Sequence, residues 1–364
     1  VTPEVVVVPW DDEQATRLRT AQQAELRARY GDDDTGHTMT GDGIAAMVVV
    51  RDDLGAGPVP VACVALRDAS NDAVSAAESE VGSGIGGDLG VGIGVGEVKR
   101  LYTVPEARGR GHARRAMLAL ELAARERGWS RLVLETGVLQ PEAIGLYLTL
   151  GYTSIPNYGE YADEPSSRCF AKDLRSDDRA AAGAGARAGA GRRAARQPPV
   201  AARSVELETV AWEHPDAIAL RRAMGDFNAD RYPELVTVEA DGGFATDDAR
   251  QGVGILTTWL ARIDGTLAGC LSVRAPRAGY PDGSVELKKL YVSESARGAG
   301  VARALLAAAH GEARSLGARA TVLATGIRQP EAVSLYLSSG YRPVLPYTDP
   351  TDDVLTLWFA RPVF

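Results

Sequence analysis

The chain has 364 residues, of which 45% are hydrophobic and 24% charged, enough apolar material for two ordinary globular cores. It contains no run of eighteen apolar residues, which excludes a membrane-spanning helix, and its net charge of -8 speaks against a nucleic-acid partner, because neutralising phosphates needs a basic surface. Val1 to Asp12 lacks the basic and long apolar regions of a secretory signal, so a cytoplasmic location is expected. Cys63, Cys169 and Cys270 are too scattered for a disulfide framework or a zinc site; reduced, mostly buried thiols and no metal are expected.

In chain order, Val5 to Pro9 reads as a short strand. Glu13 to Arg29 reads as a helix, with Ala15, Leu18, Ala21 and Leu26 near one face. Ile44 to Arg51 and Val59 to Arg67 are Val-rich runs separated by Gly55, Gly57 and Pro58, the pattern of a hairpin. Gly82 to Gly96 reads as a mobile loop; its glycines are nearly spaced for a dinucleotide fingerprint, but a strand and not a helix follows. That strand is Glu97 to Val104. A Gly- and Arg-rich turn leads to a helix from Gly111 to Arg127, ended by Gly128. Strand Arg131 to Thr136 precedes a helix opened by Pro141 and closed by Gly151. Strands near Tyr152 to Ile155 and Arg168 to Leu174 complete a mixed α/β fold, with helices flanking a central sheet.

The order then repeats. Glu97 to Tyr158 aligns without a gap onto Glu286 to Tyr347 at an offset of 189, with 28 identities in 62 pairs, far more than chance gives. A weaker register at offset 202 pairs Trp10 with Trp212 and Tyr30 with Tyr232. The expected organisation is a domain over 1–174, an Ala/Gly/Arg-rich linker over 175–203 and a second domain over 204–364.

Between strand and long helix, Arg108-Gly109-Arg110-Gly111-His112-Ala113 fits R-x-x-G-x-A, as does Arg297-Gly298-Ala299-Gly300-Val301-Ala302. Small residues let backbone approach a ligand, and N–H groups at a helix start favour an anion such as a pyrophosphate. A tight turn without a ligand is the plainer alternative. The nucleotide-triphosphatase loop is excluded because no Lys-Ser/Thr follows.

This motif, with the strand Lys99 to Val104, Leu134-Glu135-Thr136-Gly137, Gln140-Pro141-Glu142-Ala143, Leu146-Tyr147 and Gly151-Tyr152, resembles the GNAT superfamily of acetyl-CoA-dependent N-acyltransferases. The likeness covers about 75 residues of each copy, Glu97 to Leu174 and Glu286 to Phe359. It implies two tandem GNAT-like domains and acetyl-CoA, or another acyl-CoA, as co-substrate. The turn Arg108 to Ala113 would hold the CoA pyrophosphate through backbone amides, with Arg114 neutralising it. Pantetheine would lie along the strand like an added strand, bonded by backbone of Leu101, Tyr102 and Thr103. The second copy offers Leu290, Tyr291, Val292 and Arg297, Gly298, Ala299, Gly300, Val301, Ala302 and Arg303.

An amine must lose a proton to attack a thioester, and the thiolate gains one. The resemblance implies that Glu97 and Glu286 act as general bases, directly or through water; a solvated strand-end carboxylate is the alternative. It implies that Tyr147 and Tyr336 act as general acids; the alternative is a core residue, since Ala143, Ile144, Tyr147 and Leu148 share a helical face. His112, replaced by Val301, reads as a helix-start residue and not a catalyst. Asp32, Asp33 and Asp34 read as a solvated turn, or as an attraction for a cationic amine. Tyr158, Tyr161 and Ser167-Arg168-Cys169-Phe170 resemble a C-terminal signature of small bacterial N-acetyltransferases.

Glu135, Arg110 and Arg100 become Ala324, Ala299 and Lys289, so the first copy is the expected catalyst. The expected reaction is acetyl transfer from acetyl-CoA to a small-molecule primary amine. A donor other than acetyl-CoA, including a thioester on an acyl carrier protein as partner, stays open; so does a non-catalytic CoA-binding module.

Overall fold

The computed structural model describes residues 2–31, 39–70, 94–175, 204–232, 243–348 and 355–364. Asp32 to Asp34, most of the Gly-rich loop and all of the proposed linker except Arg175 lie outside them. The chain divides into two compact units, Val1–Arg192 and Arg193–Phe364. Among the described residues no helix is long and apolar enough to cross a membrane.

The first unit is built from β1 (Glu4–Val8), α1 (Glu13–Tyr30), β2 (Ile44–Asp53), β3 (Pro58–Asp68), β4 (Val95–Thr103), α2 (His112–Glu126), β5 (Arg131–Gly137), α3 (Pro141–Thr149), β6 (Thr153–Ile155) and β7 (Ser167–Asp173). Each predicted element is present, with ends shifted by a residue or two. The strands form one mixed sheet in the order β1-β2-β3-β4-β5-β7-β6.

Local chemistry explains the boundaries. The Asp12 carboxylate caps α1 by accepting from the N–H groups of Gln14 and Ala15, each at 2.9 Å. Met47, Val49, Cys63 and Ala65 on one face of the sheet meet Ala15 and Leu18 of α1. The alternate residues Val48, Val50 and Val64 are also fully buried, because α2 packs on β2 and β3 through Ala116, Met117 and Leu120. The sheet is thus the middle of three layers.

Two irregularities shape the site. The β3–β4 register jumps from Cys63↔Tyr102 to Ala65↔Lys99, so Arg100 and Leu101 oppose Val64 alone, and Arg100 sits at φ 57°. Such a bulge bends its strand. The parallel β4–β5 ladder runs only from Val95↔Arg131 to Val98↔Leu134, although the strands continue to Thr103 and Gly137. Beyond Val98 they part.

The second unit contains β8 (Val205–Val210), α4 (Pro215–Ala229), α5 (Gly243–Gly252), β9 (Ile255–Ile263), β10 (Thr266–Arg274), β11 (Ser284–Val292), α6 (Val301–Ser315), β12 (Ala320–Gly326), α7 (Pro330–Ser338), β13 (Arg342–Pro343) and β14 (Thr356–Pro362). Its sheet order, β8-β9-β10-β11-β12-β14-β13, is that of the first. The bulge recurs between Cys270↔Tyr291 and Ser272↔Lys288, with Lys289 at φ 58°. The β11–β12 ladder ends at Glu286↔Val322.

Candidate functional site

In the first unit the parting strands open on a cavity of about 730 Å³. Its walls include Gln22, Leu26 and Tyr30 of α1, Glu97 to Leu101 of β4, Glu135 to Gly137 of β5, and Tyr147 of α3.

Past the bulge, β4 turns one edge to the cleft. Tyr102 lies opposite Cys63 and Val104 N–H bonds the Val61 carbonyl, so Leu101 and Thr103 face away from β3. Their carbonyls are taken by side chains: Gln22 Nε2 donates to Leu101 at 3.0 Å and Arg108 Nε to Thr103 at 3.0 Å. Bonding capacity towards the cleft is therefore weighted to N–H groups, as an added extended ligand would need.

The turn after β4 leads into α2 through Gly109 and Gly111, at φ 76° and 79°. No side chain caps the helix start, so its first N–H groups keep their capacity for an anion. The same holds at Gly298 and Gly300, at φ 79° and 86°. The Arg108 guanidinium also pairs with Glu25, which makes it a clip between turn and α1. Arg110 and Arg114 are exposed beside the turn. The His112 side chain is buried, with Nε2 3.2 Å from Asp52 Oδ2, so this residue offers the turn only its backbone. In the second unit Arg297 lies 4.5 Å from the Phe227 ring centroid, with Nε 3.4 Å from the Val292 carbonyl.

Glu97 is 1% exposed, which rules out the solvated strand-end carboxylate. Arg67 Nε donates to its Oε2 at 2.8 Å; on Oε1, Lys99 Nζ lies at 3.0 Å and the Tyr158 hydroxyl donates at 3.0 Å. Lys99 also bonds the Tyr161 hydroxyl at 2.6 Å. The Ser167 hydroxyl donates to Glu135 at 2.6 Å. The C-terminal segment singled out in the sequence thus supplies partners for Glu97 and Glu135, two of the carboxylates that line the cavity. Arg67 carried no sequence signal, because its counterpart Arg274 fits neither repeat register.

Tyr147 is both a core residue and part of the cavity wall. It is 5% exposed, in edge contact with Tyr152 at 5.9 Å and tilted against Phe170, yet it lines the cavity. Burial, with Glu135 adding to it, raises its pKa well above the ordinary phenol value. The phenol rests protonated.

The second unit differs around Glu286. Its carboxylate, 1% exposed, pairs with Arg274 and accepts from the Tyr280 hydroxyl at 3.2 Å. Tyr280 packs on Tyr347 at 4.6 Å. Tyr347 matches Tyr158, but its buried hydroxyl has no partner among the described residues. Tyr336 keeps the setting of Tyr147, packed on Tyr341 and Phe359, and burial raises its pKa likewise. Cys63, Cys169 and Cys270 are free and buried.

A three-layer mixed sheet parted at its centre beside a glycine-gated helix start defines an acyl-CoA N-acyltransferase fold. Residues 14–152 and 221–341 match the acetyltransferase (GNAT) family. The chain belongs to that family, an acyltransferase class of enzyme. An IAA acetyltransferase of Azospirillum brasilense is 42% identical over 79 residues, 22% of this chain and 52% of that protein; the chain spans about half the length of this curated relative. Among solved structures, an IAA acetyltransferase from Bacillus cereus shows 17% identity over 44% of this chain and 99% of its own, with a TM-score of 0.31. The PaiA N-acetyltransferase of Thermoplasma acidophilum, in complex with coenzyme A, shows 16% over 44% and 99%, with a TM-score of 0.33.

Proposed function

We propose that the first unit transfers an acetyl group from acetyl-CoA to a primary amine of a small molecule by direct attack on the thioester. The observation that carries this is the cavity where β4 and β5 part, which is lined by both a buried carboxylate, Glu97, and a protonated phenol, Tyr147, on a strand whose continuation leads to the anion-ready helix start. Acetyl-CoA supplies an activated acyl carbon. The glycine turn fits its pyrophosphate, and the Leu101 and Thr103 N–H groups fit its amide-bearing arm and polarise the acyl oxygen.

Glu97 takes up the proton that the amine sheds, directly or through water, and the Tyr158 hydroxyl or the Lys99 ammonium gives up its place on the carboxylate oxygen that becomes protonated. Tyr147 gives its proton to the departing sulfur. Glu135 faces the same cavity and favours a cationic acceptor. The second unit lacks Glu135, having Ala324, and its Glu286 accepts from Tyr280 where Glu97 accepts from Tyr158. These differences support one working site and a second unit in a structural role.

Thiol release from acetyl-CoA over a panel of primary amines tests this, with Tyr147→Phe and Tyr336→Phe as variants. Tyr147→Phe should lower kcat by about 100-fold or more, and Tyr336→Phe should leave it nearly intact. Loss through Tyr336 alone moves the reaction to the second unit. CoA binding without thioester consumption by any amine, longer acyl-CoAs and loaded carrier protein included as donors, overturns the enzymatic reading.

A further inference from the structure

Gln22 is one part of the cavity wall that these roles leave unused. It projects from α1, and its Nε2 donates to the Leu101 carbonyl. A carbonyl can only accept, so this bond fixes which end of the amide meets the strand. Oε1 is left as the other end. It is shut off from solvent and has no hydrogen-bond partner among the described residues, on a side chain that lines the cavity. A buried amide oxygen without a donor is destabilising, and a ligand that brings an N–H offsets that penalty.

The place is informative. Leu101 is the first residue beyond Arg100 at the bend of β4, where the cleft edge begins. A neutral primary amine attacks with its lone pair and keeps two N–H bonds free to be held. The matching position of the second unit offers no such group: at the 202-residue offset Gln22 becomes Met224, a thioether that is at best a weak acceptor. The position therefore changes together with Glu135.

We propose that Gln22 orients the acceptor: as the amine enters, the side-chain amide turns Oε1 out of its buried seat to the cavity surface, where it accepts one N–H and so aims the nitrogen lone pair at the acyl carbon. This rests on the acetyltransferase reading of the first unit. The amide does two separable jobs, donating to Leu101 and accepting from the amine, and substitutions can divide them. Gln22→Lys keeps a donor for Leu101 and removes the acceptor; Gln22→Glu does the reverse; Gln22→Met removes both and copies the second unit.

The test is steady-state kinetics of the full chain with acetyl-CoA and, in turn, tyramine, spermidine and L-methionine, with thermal melting to check folding. Gln22→Lys and Gln22→Met should raise the amine KM about tenfold, with the acetyl-CoA KM within about twofold, while Gln22→Glu keeps the amine KM within about threefold. An unchanged amine KM in Gln22→Met, or a rise confined to the acetyl-CoA KM, overturns the proposal and leaves the acetyltransferase reading standing. Absence of turnover by the unaltered chain across the full panel of primary amines and acyl donors, together with no calorimetric binding of any of those amines to the CoA-saturated protein, overturns both.

Discussion

The Tyr30 hydroxyl stands where a side chain on Gly137 would begin: a β-carbon built there would lie 1.9 Å from it. The hydroxyl accepts from the Leu139 N–H at 3.0 Å and so ties the end of α1 to the turn after β5. The second unit repeats this with Tyr232, 2.1 Å from a β-carbon on Gly326, which accepts from the Arg328 N–H at 2.8 Å. Gly137→Ala should force this contact apart and destabilise the first unit by about 1–3 kcal/mol, read by urea denaturation. Gly137→Ala combined with Tyr30→Phe should recover part of that loss, since the clashing oxygen is gone.

Removing the charge of Glu97 strands its neighbours. Glu97→Gln should cost roughly 2–4 kcal/mol of stability, because Arg67 and Lys99 lose a buried counter-charge. It should also lower kcat by about 100-fold with little change in CoA affinity. Calorimetric CoA titration beside turnover separates the two effects; unaltered kcat in a folded variant removes Glu97 from the proton path.

Arg108 holds Glu25 and the Thr103 carbonyl at once from two nitrogens of one rigid plane, a fixed spread that the single nitrogen of an ammonium does not reproduce. Arg108→Ala should raise the acetyl-CoA KM by roughly tenfold, and Arg108→Lys should recover little of it. Glu25→Gln should have a smaller effect, which fades as salt is added, because the pair is partly exposed. Equal KM values for Arg108→Lys and the unaltered chain would show that charge alone suffices.

His310 gives the second unit a predicted acid sensitivity. Its Nε2 lies 2.8 Å from the Tyr341 hydroxyl, to which Thr321 in turn donates. Burial, aided by Arg361 and Arg314, pushes its pKa from 6.5 down to about 4. Between these values the unfolded chain binds a proton that the folded unit refuses, so stability is complete above 6.5 and declines as pH falls towards 4. For a half-buried ring the loss is about 1 kcal/mol after solvent screening is allowed for. His310→Gln should flatten that part of the pH–Tm curve.

The layers were legible in the sequence because apolar periodicity, Pro141 and the glycines after each helix act within a few residues. The duplication was legible from identities at a constant offset. The bulge was not: nothing in Arg100 or Lys289 announces a positive φ, which here is imposed by pairing with β3 and β10. Gln22 was hidden because a polar residue on a helix reads as solvent-facing until the cavity beside it is known. The Glu25–Arg108 clip and the Arg67–Glu97 pair join residues on different elements, a relation that local pattern does not carry. Glu97 was visible as a position, but only packing showed it to be enclosed.

Arg100 and Lys289 differ in kind, yet both units keep the same left-handed kink beneath them. The wedge between the central strands is thus a property of the main chain, separable from the groups that decorate its walls. The second unit keeps that frame with other side chains on it, Met224 and Ala324 standing where the first unit has Gln22 and Glu135, so frame and walls can be altered independently by substitution.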